Sequence, residues 1–229
     1  MKISILGLGY LGLPLAESLL KEGHEVLGSS RSPRSSEVPC EPLRSPELPS
    51  SSLLQCDVLV LNIPPFPGQP EWFASWDYTR TRKLIFVSST GAPKNEILLW
   101  EEDWVKANFQ DWLILRPGGL LGRGRHPGKI LSGRRELKGG EHPVNLIHVD
   151  DLIGFIQRAI ALDLKHDTIS VVSDEHSSRR EFYGEYCRRN GLLLPEFDPG
   201  DKSEGPVVSN EALKRYYELK FPRLIGRAL

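Results

Sequence analysis

The sequence predicts an α/β fold with a doubly wound parallel sheet and a small C-terminal lobe. Three observations carry that prediction. Short, near-continuous apolar runs alternate with amphipathic helical segments, as expected of parallel strands covered on both faces. A glycine turn, Gly7-Leu8-Gly9-Tyr10-Leu11-Gly12, joins the first apolar run to the first helical segment. Five loops that each follow a strand-like run (7–12, 29–34, 62–65, 88–91 and 116–122) hold the glycine and polar residues. In such sheets those loops share one edge, where ligands bind.

Lys2–Leu6 reads as the first strand. Gly7 lets the chain turn sharply out of it, and Gly9 lets backbone amides approach a pyrophosphate. Gly12 lets the following helix pack closely on the strand, so the turn has the Rossmann-type G-x-G-x-x-G form. Phosphates would then meet a helix N-terminus, where N–H groups and the dipole favour anions. Leu11, Leu15 and Leu19, with Ala16 and Leu20, repeat at helical spacing. Pro14 sits in the first turn, where proline is tolerated, and Lys21 with Gly23 marks the stop. His24–Gly28 is a second strand.

Residues 29–52, rich in Ser and Pro, read as a loop that barely retains another strand and crossover. Asp57–Ile63 is a buried strand that stops at Pro64-Pro65. Trp72 and Trp76, four apart in a short helix, read as core packing. Leu84–Val87 is the next strand and ends in Ser88-Ser89-Thr90-Gly91. A helix over 95–107 places Trp100 and Trp104 on one face, and Trp112–Leu115 leads into Arg116-Pro117-Gly118-Gly119. Residues 118–146 are glycine-rich and basic, without strong periodicity.

Asp150 or Asp151 can cap a helix with Leu152, Phe155, Ile156, Ala159 and Ile160 on one stripe. Ile169–Val172 is the last strand of the main sheet. Ser178 with Glu181 forms a capping box before a helix that runs to Arg189 and stops at Gly191. A small helix around Glu211–Leu219 follows. The expected division is 1–117 with 147–175 as the nucleotide-binding domain, and 118–146 with 176–229 as the small substrate-side lobe.

Composition narrows the function classes. The chain has 229 residues, 39% hydrophobic and 26% charged, with a formal net charge of −1. That is an ordinary globular composition, without the basic excess of a general nucleic-acid binder. No apolar run approaches a membrane span. The chain enters a strand at once, so no leader is expected. Cys40, Cys56 and Cys187 are odd in number and lack metal-ligand spacing, which suggests free thiols in a reducing compartment, the cytoplasm by default. No metal cluster and no G-x-S-x-G elbow stands out.

Taken in order, four motifs carry a resemblance. They are Gly7–Gly12, Phe86-Val87-Ser88-Ser89-Thr90-Gly91, Leu115-Arg116-Pro117-Gly118-Gly119-Leu120-Leu121-Gly122-Arg123-Gly124-Arg125, and Asn145-Leu146-Ile147-His148-Val149-Asp150-Asp151-Leu152. Together they resemble the short-chain dehydrogenase/reductase superfamily, in its extended NAD(P)-dependent epimerase/dehydratase-like branch. The resemblance implies that Thr90 holds the hydroxyl that orients a substrate. It also implies a Tyr-x-x-x-Lys pair for acid/base work, which this chain lacks after Gly91, where it reads Ala92-Pro93-Lys94. Tyr78-x-x-x-Arg82 has that spacing but precedes the Ser-Ser-Thr strand. The fit is therefore to atypical members that keep the nucleotide fold without the usual catalytic pair. The first motif, continued by Leu13-Pro14-Leu15-Ala16, also resembles sugar-nucleotide 6-dehydrogenases, although the later motifs do not.

The candidate cofactor residues are Gly7, Gly9, Tyr10, Leu11 and Gly12 at the turn, Ser30 and Arg31 after the second strand, and Pro64, Ser88 and Pro117 at other strand ends. Arg31, with Arg34 nearby and no acid until Glu37, favours NADP over NAD, because an Arg suits a 2′-phosphate where an acid would bind a 2′-OH. Arg123 and Arg125 open a basic segment running to Lys138 and are candidates for an anionic, nucleotide-sugar-like small substrate. Lys94 and His148 are the nearest proton-transfer groups by sequence. His148, beside Asp150 and Asp151, reads better as a strand-to-helix junction. The reading is an NADP-binding protein with weak or absent conventional oxidoreductase activity. The alternative is an active epimerase/dehydratase or reductase with a rearranged site.

Overall fold

The computed structural model describes residues 1–32, 36–44 and 47–226. Seven strands form one sheet. They are β1 (Lys2–Leu6), β2 (Glu25–Ser30), β3 (Cys40–Pro42), β4 (Val58–Leu61), β5 (Lys83–Val87), β6 (Asp111–Pro117) and, last in the chain, β9 (Asp167–Val171). Their order is β3-β2-β1-β4-β5-β6-β9, and β1 to β6 pair in parallel. The order reverses between β1 and β4, so the crevice that a doubly wound sheet opens to ligands lies beside the end of β1. The chain divides into two compact units, Met1–Arg116 with Ile156–Ile169, and Pro117–Phe155 with Ser170–Leu229.

In the first unit the central strands are apolar because both faces are covered. Ile3, Ile5, Leu59, Val60, Leu61, Leu84 and Ile85 are all fully buried. Helix α1 (Gly12–Lys21) buries Leu15, Ala16 and Leu19, and the chain leaves it through Gly23 at φ +82°. The 29–52 stretch keeps a minimal strand and crossover, as expected. It contains the edge strand β3 and a one-turn helix, α2 (Ser51–Leu54), whose Leu53 N–H donates to the Ser50 hydroxyl at 3.3 Å. Proline is tolerated there because an edge strand needs no second ladder.

Helix α3 (Gln69–Ala74) and the segment after it bury Trp72, Phe73 and Trp76. These rings pack on Trp104 of α4 (Glu96–Asn108) with centroid separations of 4.8 Å for Phe73 and 6.3 Å for Trp76. Trp100 shares a face with Trp104, as expected, their rings stacked with centroids 6.4 Å apart, but it lies at the edge of the core, 37% exposed against 8% for Trp104.

The second unit builds three short elements from the glycine-rich, basic stretch that showed no periodicity. Strands β7 (Gly119–Leu121) and β8 (Leu146–His148) pair in parallel, and α5 (Pro127–Leu131) lies between them in sequence. Helix α6 (Val149–Ala161) buries the expected stripe of Leu152, Phe155, Ile156, Ala159 and Ile160. Neither Asp150 nor Asp151 caps it, since the helix begins at Val149 and both lie in its first turn. The Asp151 carboxylate is buried and instead accepts the main-chain N–H groups of Lys220 (2.8 Å) and Phe221 (2.9 Å). Helix α7 (Arg179–Arg189) is capped by Ser178, whose hydroxyl accepts the Glu181 N–H at 3.2 Å. The last helix, α8, is shorter than expected, covering Glu211–Lys214.

Glu101 is an acid in the core. It is fully buried on α4, and neither carboxylate oxygen has a hydrogen-bond partner. Burial, reinforced by the neighbouring Glu102 charge, pushes its pKa from 4.5 up to about 8. Between those values the folded protein holds a proton that the unfolded chain has released. This group's contribution to stability therefore falls as pH rises through that window, by on the order of 1 kcal/mol per pH unit. Glu101→Gln should gain stability relative to the parent as pH rises from 6 to 8, measured by urea unfolding. Identical pH dependence in the two proteins would contradict the assignment.

Candidate nucleotide site

The site starts where β1 ends. Gly7 turns the chain at φ +103°, a value that side chains rarely adopt. A Cβ at Gly7 would lie 2.2 Å from the Asn62 carbonyl oxygen, and a Cβ at Gly12 would lie 2.1 Å from the Gly7 carbonyl oxygen. Both positions are closed to any side chain. Gly9 is the opposite case, exposed and with nothing within 4 Å of where a Cβ would stand. The folded chain alone therefore gives no packing reason for glycine at position 9, whereas a pyrophosphate laid against the turn does.

Local hydrogen bonds fix this turn. The Gly7 and Leu8 amides donate to the Ser29 carbonyl at 3.2 and 2.8 Å, and Gly9 N–H donates to the Gly7 carbonyl at 2.8 Å. Asn62, just past β4, donates from Nδ2 to the Gly7 carbonyl at 3.2 Å. Helix α1 begins with Leu11 at its N-cap, with no capping side chain and no acid in its first turn. That leaves the positive end of its dipole unopposed from within the helix, as an anion site requires. Tyr10 is half-buried and Leu11 buried.

Gly28 of β2 completes the support, since a Cβ there would meet Leu8 Cδ1 at 2.4 Å. Ser30 ends β2 with its hydroxyl turned back onto Ser32, 3.2 Å from its carbonyl and 3.3 Å from its N–H. Arg31 is exposed, and its carbonyl accepts from Arg44 Nε at 3.4 Å. Arg34 lies outside the described residues. Pro64 is exposed two residues past Asn62, and Pro117 is buried at the end of β6.

At the β5 end, Thr90 is half-buried in the loop before a 3-10 turn at Ala92–Lys94. Ser88 has its hydroxyl committed, donating to Glu102 Oε1 at 2.6 Å. Arg116 grips the same carboxylate through both nitrogens, Nε at 2.8 Å and Nη2 at 2.5 Å. This network ties the ends of β5 and β6 to α4. Tyr78 stands elsewhere, with its hydroxyl donating at 2.6 Å to Oδ1 of Asn108, the last residue of α4.

In the second unit, Arg123 sits at φ +48° in a tight turn and pairs with Asp150 at 2.7 Å. The turn is closed by Gly122 and Arg125, each N–H donating to the other's carbonyl at 2.9 Å. His148 ends β8 and stacks on Phe221 at 3.9 Å between ring centroids, and its Nδ1 accepts the Asp150 N–H at 3.2 Å. Burial lowers its pKa despite the neighbouring aspartates. A Cβ at Gly122 would lie 2.3 Å from His148 Nε2, so that glycine makes room for the ring. Among the described residues no group of His, Cys, Asp and Glu could hold a metal ion, and no helix is long and apolar enough to cross a membrane.

Sequence reasoning did not single out Asn62, Glu102 or Arg44. Asn62 offered one signal, as the polar residue that breaks an otherwise apolar run just before two prolines.

The three glycines should separate by experiment. Gly12→Ala should lower stability by about 1–3 kcal/mol or more, because the new methyl meets a backbone carbonyl that cannot move aside. Gly9→Val should melt within about 2 °C of the parent, since exposed substitutions away from special features are nearly neutral, yet lose dinucleotide binding. Thermal melts with nucleotide titration check both. A Gly9→Val protein that unfolds, or that binds normally, would break the assignment.

A family model described as "NADP oxidoreductase coenzyme F420-dependent" matches residues 2–88, the span that holds this turn. Protein YeeZ of Escherichia coli K12 is 30% identical, covering 96% of both chains. The human epimerase family protein SDR39U1, solved with NADPH, superposes with a TM-score of 0.68 at 17% identity, over 97% of this chain and 96% of that one. A short-chain dehydrogenase/reductase superfamily protein from Agrobacterium tumefaciens, solved with bound NAD, gives a TM-score of 0.72 at 14% identity, over 94% and 91%. The chain thus belongs to the family of Protein YeeZ, on the Rossmann fold shared with the epimerase/dehydratase-like short-chain dehydrogenases/reductases.

Proposed function

We propose that this protein binds NADP(H) at the Gly7–Gly12 turn and carries out conventional oxidoreductase chemistry slowly or not at all. The observation that supports binding is the contrast among the three glycines. Two are closed by neighbouring backbone, and the middle one is open for no reason internal to the chain. The uncapped start of α1 suits the phosphates, and Arg31 suits a 2′-phosphate over a 2′-OH. The NADPH held by the human relative and the NAD held by the Agrobacterium protein are in keeping with a dinucleotide here.

Bound there, NADP(H) would supply or accept a hydride. The chain would have to orient a substrate and move the accompanying proton. The Thr90 hydroxyl can hydrogen-bond a carbonyl but is a poor proton donor at neutral pH. The Tyr-x-x-x-Lys pair expected of the family has no counterpart after Gly91, where the chain reads Ala92-Pro93-Lys94. The Ser88 hydroxyl is already spent on Glu102, and Tyr78, away from this loop, donates its own to Asn108. Losing a positioned acid/base costs about 10²–10⁴-fold in rate. A small anionic, nucleotide-sugar-like substrate remains the class that the Arg123–Arg125 segment suggests, with Asp150 already neutralising Arg123.

NADPH should bind more tightly than NADH in a fluorescence titration, and Arg31→Asp should weaken NADPH while sparing NADH. Turnover across aldehydes, ketones and nucleotide sugars should be slow. Failure of both nucleotides to bind would refute the binding reading. NADPH oxidation at ordinary enzyme rates (~1–10³ s⁻¹) that is lost in Thr90→Ala would favour the alternative, an active reductase or epimerase with a rearranged site.

A further inference from the structure

Building on the NADP(H) reading of this turn, we infer that Arg44 is a second specificity-determining cation, acting with Arg31 on the adenosine 2′-phosphate. The two residues are 13 apart in sequence. The β2–β3 pairing brings them together. Ser30 sits opposite Pro42 in register, and the Leu43 N–H then donates to the Ser30 carbonyl at 3.0 Å, extending the ladder by one step. The next residue, Arg44, reaches the Arg31 carbonyl with Nε at 3.4 Å. Both residues therefore stand at the tip of β2, one by chain order and the other by strand register.

Two cationic side chains at one strand tip suit an anion. Six arginines elsewhere (Arg116, Arg123, Arg135, Arg180, Arg188 and Arg189) pair with a carboxylate, while others among the described residues, such as Arg134 and Arg215, do not. Among the described residues, neither Arg31 nor Arg44 does. The two acids close by are used locally instead. Glu47 accepts the Arg44 main-chain N–H at 3.1 Å, and Glu41 accepts the Ser50 hydroxyl. Two arginines at one strand tip can both donate to a phosphate, whose oxygens accept readily from guanidinium groups. A shallow concavity lined by Leu8, Leu13, Ser30, Ser36 and Cys40 lies between the glycine turn and this edge. The 2′-phosphate is the one part of NADP that NAD lacks, so a cation here acts on cofactor choice and leaves the shared portion untouched.

The test is isothermal titration of NADPH and NADH into the parent, Arg44→Ala and Arg44→Lys, with 2′,5′-ADP and 5′-AMP as fragment probes. Arg44 is exposed, so the variants should fold, which a thermal melt checks. Arg44→Ala should weaken NADPH and 2′,5′-ADP by about tenfold to a hundredfold, the usual scale for a charged hydrogen bond. NADH and 5′-AMP should stay within about twofold. Arg44→Lys should fall between, since an ammonium cannot bind bidentately. Equal weakening of NADPH and NADH, or unchanged NADPH binding in Arg44→Ala, would overturn the role of Arg44 and leave the nucleotide site standing. A parent protein that binds neither dinucleotide would refute the site itself, and the inference with it.

Discussion

Three backbone segments meet at Gly7 with no room for a side chain between them. The end of β1, the start of α1 and the residue after β4 touch directly. Position 7 faces the Asn62 carbonyl, and position 12 faces the Gly7 carbonyl. The Gly7 carbonyl also accepts hydrogen bonds from Gly9 N–H and Asn62 Nδ2. The helix can start this close to the strand only because both glycines lack a Cβ. Its N-terminal amides are thereby carried to the switch point of the sheet, where the strand order reverses. The position of Gly9, exposed beside that helix end, follows from the same contact.

Much of this was legible in the sequence because the signals are local. The central strands are apolar without interruption, and the glycines are read by spacing alone. What escaped was set by long-range pairing. Strand β3 is only Cys40-Glu41-Pro42, a half-exposed edge piece with no apolar signature, so its residues read as loop. Strands β7 and β8 are three residues each, too short for a period to show. Asn62 bonds across 55 positions, and no local pattern reports that. Arg44 reaches Arg31 only once β3 is in register. Glu101 and Glu102 are fully buried while Asp103 beside them is exposed, a difference that three consecutive acids do not report.

Those two buried acids bear on what the β5 tip can do. Glu102 gathers Ser88 and Arg116 into an ionic clamp that holds the ends of β5 and β6 against α4. Glu101, one residue earlier, has no partner and is driven towards its neutral form by burial and by that neighbour. Ser88, Arg116 and Glu102 thus go into fixing the strand ends that precede Thr90. In the proposed reading, the fold keeps a rigid nucleotide platform without a proton relay beside it. Binding and turnover then become separable properties, and cofactor selectivity resides at the β2–β3 edge, remote from Thr90 in the sheet order.

The central claim is that the turn itself receives the cofactor phosphates. Amide-resolved NMR of ¹⁵N-labelled protein titrated with NADPH tests it most directly. The account predicts that the largest shift changes fall on the amides of Gly9, Tyr10, Leu11 and Gly12, with smaller ones at Ser30 and Arg31. Saturable binding with those amides unmoved, and the changes clustered elsewhere on the chain, would contradict it.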